Sequence, residues 1–132
     1  MTKREAERQT ELAYTLERLG FTRQEAESLR RISGTLRRWY EHECNGVIQR
    51  DGDNSDGAPY WVNTSTGRRL HNAPDRERGA LRRLKVIMAR VPTLTAHVQG
   101  DPRGVALYIL RPGDVPEGQS AGSYYNRGIA VY

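Results

Sequence analysis

Apolar positions recur with a helical period over the first third of the chain. Leu12, Leu16 and Leu19 stand at i, i+4 and i+7 and mark one face of a helix. Thr2 and Glu5 ahead of them have the spacing of a capping box. Gly20 follows the last leucine, where a left-handed C′ residue belongs, and Phe21 is placed to touch Leu16. The first helix is therefore predicted over residues 3–19. Thr22 and Glu25 repeat the capping box at once. Ala26, Leu29, Ile32, Leu36, Trp39 and Tyr40 form the next stripe, so a second helix is predicted over 23–43. The short connection makes the two a helical hairpin or a helix-turn-helix-like pair. A DNA-reading helix shows a basic excess. The outer face here mixes Glu25, Glu27, Arg30, Arg31, Arg37, Arg38, Glu41 and Glu43 and reads as a solvated face.

The pattern then changes period. Gly46–Arg50 and Pro59–Thr64 are β-prone, and the polar stretch 51–58 between them is expected as a mobile loop. Its Asp51, Asp53, Ser55 and Gly57 echo a calcium loop but lack the closing glutamate, so no calcium site is expected. Tyr60–Val62 and Arg68–Leu70, with Gly67 at the turn, predict a hairpin. Pro74 suits a helix start, and Leu81, Leu84, Met88 and Val91 carry a third helix over 75–90 to Pro92.

Strict alternation returns in Leu94–Gln99 and Val105–Ile109, around a turn at Gly100–Gly104. Parity settles the register. An even turn pairs Val98 with Leu107 and Ala96 with Ile109, leaving His97 opposite Tyr108 and Gln99 opposite Ala106 on the other face. A Gly- and Pro-rich loop then leads to a last strand over 124–132. The elements predict an α+β fold in a single domain, residues 1–132. It comprises a helical hairpin over 1–44, then a β-hairpin, a third helix and C-terminal strands over 45–132, with one antiparallel sheet of about four to five strands.

Length and composition narrow the classes. The chain has 132 residues, of which 36% are apolar, below the ordinary share of about 45–50%. A small core, or one shared with a second copy, is expected. No apolar run reaches the roughly 18 residues of a membrane span, and no secretory signal is visible, so no membrane partner is expected. The single cysteine, Cys44, forms no internal disulfide and reads as a small hydrophobe closing the second helix. His42, His71 and His97 share no paired-ligand spacing with it, so no zinc site is expected.

The formal net charge is +5. Residues 1–44 hold nine basic and eight acidic side chains, 45–93 hold nine and five, and 94–132 hold three of each. The excess thus falls mid-chain, on Arg68, Arg69, Arg76, Arg78, Arg82, Arg83, Lys85 and Arg90. Nineteen of the 21 cations are Arg, whose planar fork suits phosphate and carboxylate. A GC-rich genome favours the same bias.

Three constellations carry candidate chemistry. His97, Gln99 and Tyr108 share one sheet face, with Asp101 and Arg103 at the hairpin tip, an arrangement able to clamp a base or phosphate or to stand as a solvated cross-strand pair. Tyr124, Tyr125, Asn126 and Arg127 precede Gly128, which would let a ligand approach the backbone; stacking plus Arg–phosphate contact is how single strands are bound. The basic surface Arg68, Arg69, Arg78, Arg82, Arg83 and Lys85, near Trp61, fits nucleic acid or an acidic protein face. No P-loop, GxGxxG, HExxH, nucleophile elbow or paired-carboxylate motif is present, and no cofactor or catalytic set is expected.

Pro74–Glu77, Gly79–Leu84, Gly100–Gly104 with Ala106–Tyr108, and Tyr125–Gly128 resemble a family of small uncharacterised phage and prophage proteins. Gly20–Arg23, Glu25 and Leu36–Trp39 fit it too. The resemblance implies a phage or mobile-element origin and a host-cell cytoplasm, and brings no activity with it. By analogy the expected role is a non-catalytic binding protein. It would inhibit a host defence system or host nucleic-acid metabolism, and would engage a phosphate-bearing ligand (nucleic acid or nucleotide) or a nucleic-acid-loaded defence complex. The alternative is a small nucleotide- or nucleic-acid-processing enzyme using His97 with Arg103 or Arg127. Trp39, Tyr40 and Trp61 on amphipathic elements add an expected homodimer held partly by the second helix.

Overall fold

The structure, a computed structural model, describes residues 2–44, 48–53, 59–64, 66–70, 73–100 and 104–132. Helix α1 runs Lys3–Arg18 and opens on the expected capping box, with the Glu5 amide donating to Thr2 Oγ1 and the Thr2 amide to Glu5 Oε2. Its C-terminus closes as a Schellman motif: the Gly20 amide donates to the Glu17 carbonyl at 3.0 Å and the Phe21 amide to the Leu16 carbonyl at 3.2 Å. Gly20 has φ +115°, a conformation a Cβ would strain. Helix α2 (Arg23–Cys44) begins on the second box, with the Thr22 amide on Glu25 Oε1 at 2.8 Å and the Glu25 amide on Thr22 Oγ1 at 3.1 Å.

Helix α2 is the axis of the molecule. Ala26, Leu29, Ile32, Leu36, Trp39 and Tyr40 are all buried along it. They meet Leu12 and Leu16 from the second half of α1, Phe21 from the α1–α2 connection, Ala80, Leu84 and Ile87 from α3 (Ala73–Arg90), and Leu107, Ile109 and Val131 from the C-terminal strands in one apolar cluster. Ser33 is the buried polar exception; its hydroxyl donates to the Val131 carbonyl, 98 residues away, and ties α2 to the last strand. Tyr40 donates to Glu77 Oε1 at 2.9 Å, bridging α2 and α3. Burial first, and then the Glu77 carboxylate, hold its hydroxyl well above the ordinary phenol range.

The fold is α+β, as the pattern predicts. Its strands divide between two three-stranded antiparallel sheets instead of forming one. The first orders β1 (Ile48–Asp53), β2 (Pro59–Asn63) and β3 (Arg69–Leu70); the second orders β4 (Thr95–Val98), β5 (Leu107–Leu110) and β6 (Ile129–Val131). The long helix α3 lies between them in sequence, so each sheet closes from neighbouring strands. Asp51–Asp53, expected in a loop, extend β1, with a register shift between Arg50 and Gly52 that accommodates the extra residue as a bulge. The rest of that expected loop, 54–58, lies outside the described residues. Trp61 pairs with Leu70 and Val62 with Arg69, the predicted hairpin.

The β4–β5 register is the one parity requires: Ala96 opposite Ile109, His97 opposite Tyr108 and Val98 opposite Leu107. The Gln99 amide continues the ladder to the Ala106 carbonyl at 2.8 Å. The expected strand over 124–132 is much shorter. Ala121–Tyr124 form a helical turn, α4, capped by Ser120, and Tyr125–Arg127 form a 3₁₀ turn before β6 starts at Ile129. Among the described residues no helix is long and apolar enough to cross a membrane.

Candidate functional site

The outer face of the second sheet gathers residues from both C-terminal constellations. Its inner face presents Leu107, Ile109 and Val131 to the core, so pleating turns His97 and Tyr108 outward. The 3₁₀ turn before β6 folds back over this face and lays Tyr125 on it. The Tyr125 ring stacks on His97 with centroids 4.8 Å apart and planes 12° from parallel. Tyr108 meets Tyr125 edge-on, centroids 4.9 Å apart at 61°. Gln99, two residues along the same strand face, places Oε1 3.1 Å from His97 Nε2, a pairing in which an Nε2–H donates. Arg127 sits at the edge with its guanidinium 4.6 Å above the Tyr124 ring, a cation–π contact that leaves the side chain exposed. Burial, and then the neighbouring Tyr125, raise the Tyr108 hydroxyl, which therefore stays protonated at neutral pH.

The turn carrying Tyr125 and Arg127 is held from behind by two residues the sequence reading missed. Arg111–Asp114 is a β-turn with Pro112 and Gly113 at its corners, closed by the Asp114 amide on the Arg111 carbonyl at 3.1 Å. Across it the Arg111 guanidinium grips Asp114, Nε to Oδ2 at 3.0 Å, while Nη2 also donates to the Arg127 carbonyl at 3.1 Å. The Arg111 hydrogen bond holds the Asp114 carboxyl below its ordinary range. The Arg-Pro-Gly-Asp run was a readable turn signal; its grip on Arg127 was not.

Gly128 plays a different part from the one expected. A Cβ there would stand 2.8 Å from the Ile109 carbonyl oxygen and 2.8 Å from Leu110 Cδ2. The missing side chain admits β5, not a ligand, and this close approach swings the 3₁₀ turn onto the sheet face.

Of the sequence-predicted binding residues, His97, Gln99, Tyr108 and Tyr125 converge on one patch with Arg127 at its rim. Arg103 and Asp101 lie outside the described residues, as does His71. The basic surface is separate. Arg78, Arg82, Arg83 and Lys85 are exposed on α3, and Arg68 is exposed at the start of the β3 hairpin arm. Arg69 is in β3, though its side chain lies outside the described residues, as do those of Cys44 and Trp61. Arg90 is committed elsewhere, to Glu25 and the Gly20 carbonyl. Arg82, Arg83 and Lys85 make no ion pair among the described residues. Trp39 and Tyr40, expected to offer surface to a second copy, are buried in the chain's own core. The chain matches no protein-family model, no curated protein and no solved structure.

Proposed function

We propose that this is a phage-encoded, non-catalytic binding protein of the host-cell cytoplasm that holds a single-stranded nucleic acid or nucleotide. By occupying that ligand or its complex it would inhibit a host defence system or host nucleic-acid metabolism. One observation carries the reading: three rings, His97, Tyr108 and Tyr125, pack into one partly exposed patch on a sheet face, with the Gln99 amide inside it and the Arg127 guanidinium at its rim. Bases stack on such faces regardless of sequence, and Arg supplies the phosphate contact. The exposed cations Arg82, Arg83 and Lys85 of α3 provide a second, sequence-independent attraction for a polyanion. The phage setting rests on the resemblance of the Gly100–Gly104 and Tyr125–Gly128 stretches.

Anisotropy titrations with labelled single-stranded DNA, single-stranded RNA and duplex, at low salt, test this. Single strands are expected to bind more tightly than duplex. Tyr125→Ala should lose about 1–3 kcal/mol, the worth of a stacked base. Absence of binding to any of these, and to mononucleotides by calorimetry, overturns the reading. Turnover of a nucleotide or oligonucleotide that His97→Ala abolishes would install the enzymatic alternative.

A further inference from the structure

The contact between His97 and Gln99 fixes which end of the Gln99 amide is left for a ligand. Gln99 directly follows β4, and its backbone amide still donates to the Ala106 carbonyl at 2.8 Å. It therefore keeps the pleat and shares the outer face with His97, two residues before it. Gln99 Oε1 lies 3.1 Å from His97 Nε2. An amide oxygen approaches a ring nitrogen this closely when that nitrogen carries a proton, so His97 is the donor and Oε1 the acceptor. With the oxygen turned to the imidazole, the NH2 is the end turned away from it. Among the described residues that NH2 has no hydrogen-bond partner.

A glutamine reads adenine by a bidentate pair, its oxygen accepting from the base amino group while its NH2 donates to the ring nitrogen beside it. That pair needs both ends of the amide facing one base. Here the oxygen is committed to His97 and only the donor end remains. The neighbouring polar groups donate too: the Arg127 guanidinium at the rim, and the Tyr108 hydroxyl, which keeps its proton at neutral pH. Asp114, the carboxylate of the adjoining turn, is held by Arg111. Ala106, opposite Gln99, is buried and has no polar side-chain atom.

We propose that the ring patch selects bases by the group at pyrimidine C4 or the equivalent purine C6. It takes a carbonyl there (uracil, thymine, guanine) over an amino group (cytosine, adenine), with Gln99 as the selecting residue and His97 as the residue that positions it. The selection rests on the single-strand binding proposed for the same patch, and adds to it the class of base. A carbonyl accepts from the outward NH2. An amino group meets that NH2 donor to donor, and both are left without a partner once water is displaced, which is what makes the mismatch costly. Stacking on Tyr125 and the Arg127–phosphate contact serve all bases alike, so the choice between bases falls to the amide.

Oligo-dU and oligo-dC of equal length test this, since both are pyrimidines that share the C2 carbonyl and differ at C4. Anisotropy titrations of the full chain, at low salt and neutral pH, should show oligo-dU bound about three- to tenfold more tightly, the worth of one hydrogen bond made against one lost. In Gln99→Glu the isosteric carboxylate keeps one oxygen on His97 and turns the other outward as an acceptor. The ratio should then invert to favour oligo-dC, while the added negative charge weakens both. Gln99→Ala should bring the ratio to about one. His97→Phe keeps a ring against Tyr125 but has no N–H to hold the amide, so the ratio should fall towards one there too. Equal binding of the two strands by the natural chain, or tighter binding of oligo-dC, overturns the inference and leaves single-strand binding standing. So does a preference for oligo-dU that Gln99→Ala leaves unchanged. Binding of neither strand removes the reading on which the selection rests, and the selection with it.

Discussion

A Cβ added to Gly128 has nowhere to go, because the Ile109 carbonyl and Leu110 occupy its place at 2.8 Å. Gly128→Ala should therefore push the 3₁₀ turn off the sheet and cost about 1–3 kcal/mol, read by chemical denaturation. It should also weaken ligand binding through Tyr125. Gly34 gives the opposite result. It lies mid-α2, and a Cβ there meets nothing within 4 Å. Gly34→Ala should stabilise the fold by about 0.5–1 kcal/mol, since Gly loses more backbone entropy in a helix than Ala. The sequence sets Gly34 inside a helical stripe and Gly128 after a run of aromatics, and neither pattern gives the sign of the effect. What separates them is a neighbour distant along the chain for one and open space for the other.

Three helices meet where Glu25, Arg90 and Gly20 come together. Glu25 caps α2 through Thr22 and pairs with Arg90 at the end of α3, which also donates to the Gly20 carbonyl at the end of α1. The hydrogen bond from Arg90, foremost, holds the Glu25 carboxyl down from its ordinary 4.5 to about 2. A carboxyl whose pKa is depressed by folding stabilises the fold above its unfolded value. That contribution is lost as pH falls from about 4.5 towards 2. Melting temperatures measured across this range should fall less steeply for Glu25→Gln than for the natural chain, with the two curves furthest apart at neutral pH. Parallel curves would mean that the pair adds nothing to stability, as many exposed ion pairs do. The capping half of this node was legible in the Thr-x-x-Glu spacing. The Arg90 half was not, because the two residues are 65 apart in sequence.

Across the whole molecule the rings and the cations occupy different elements, the β4–β5–β6 face and α3, so their contributions to the proposed nucleic-acid binding should separate. For single strands log affinity falls with log salt by about 0.7 per phosphate contact. Replacing Arg82 and Arg83 together by Ala should reduce that slope by about two contacts' worth and weaken all sequences alike. Tyr125→Ala should lower affinity at every salt concentration and leave the slope as it is, since stacking releases no counterions. A slope unchanged in the double variant would place the phosphate contacts elsewhere, with Arg103 and Arg127 the next candidates.

Where each feature became legible follows from the range of the forces involved. Both capping boxes, the Schellman closure at Gly20 and the α1 and α2 boundaries rest on hydrogen bonds between residues at most five apart, so short windows of sequence carry them whole. The β4–β5 register was readable because side chains alternate with a period of two and only one parity buries Val98, Leu107 and Ile109 together. The 3₁₀ turn at Tyr125–Arg127 competed with a strand in the same window, and local propensity favoured the strand. What overrode it was the Arg111 grip on the Arg127 carbonyl and the close packing of Gly128 on β5. The merging of two candidate sites into one patch, and the burial of Trp39 and Tyr40 inside the chain, likewise depend on contacts between residues far apart. No periodicity encodes such contacts. They exist only once α2 has gathered the other elements around it and the apolar faces have been removed from water together.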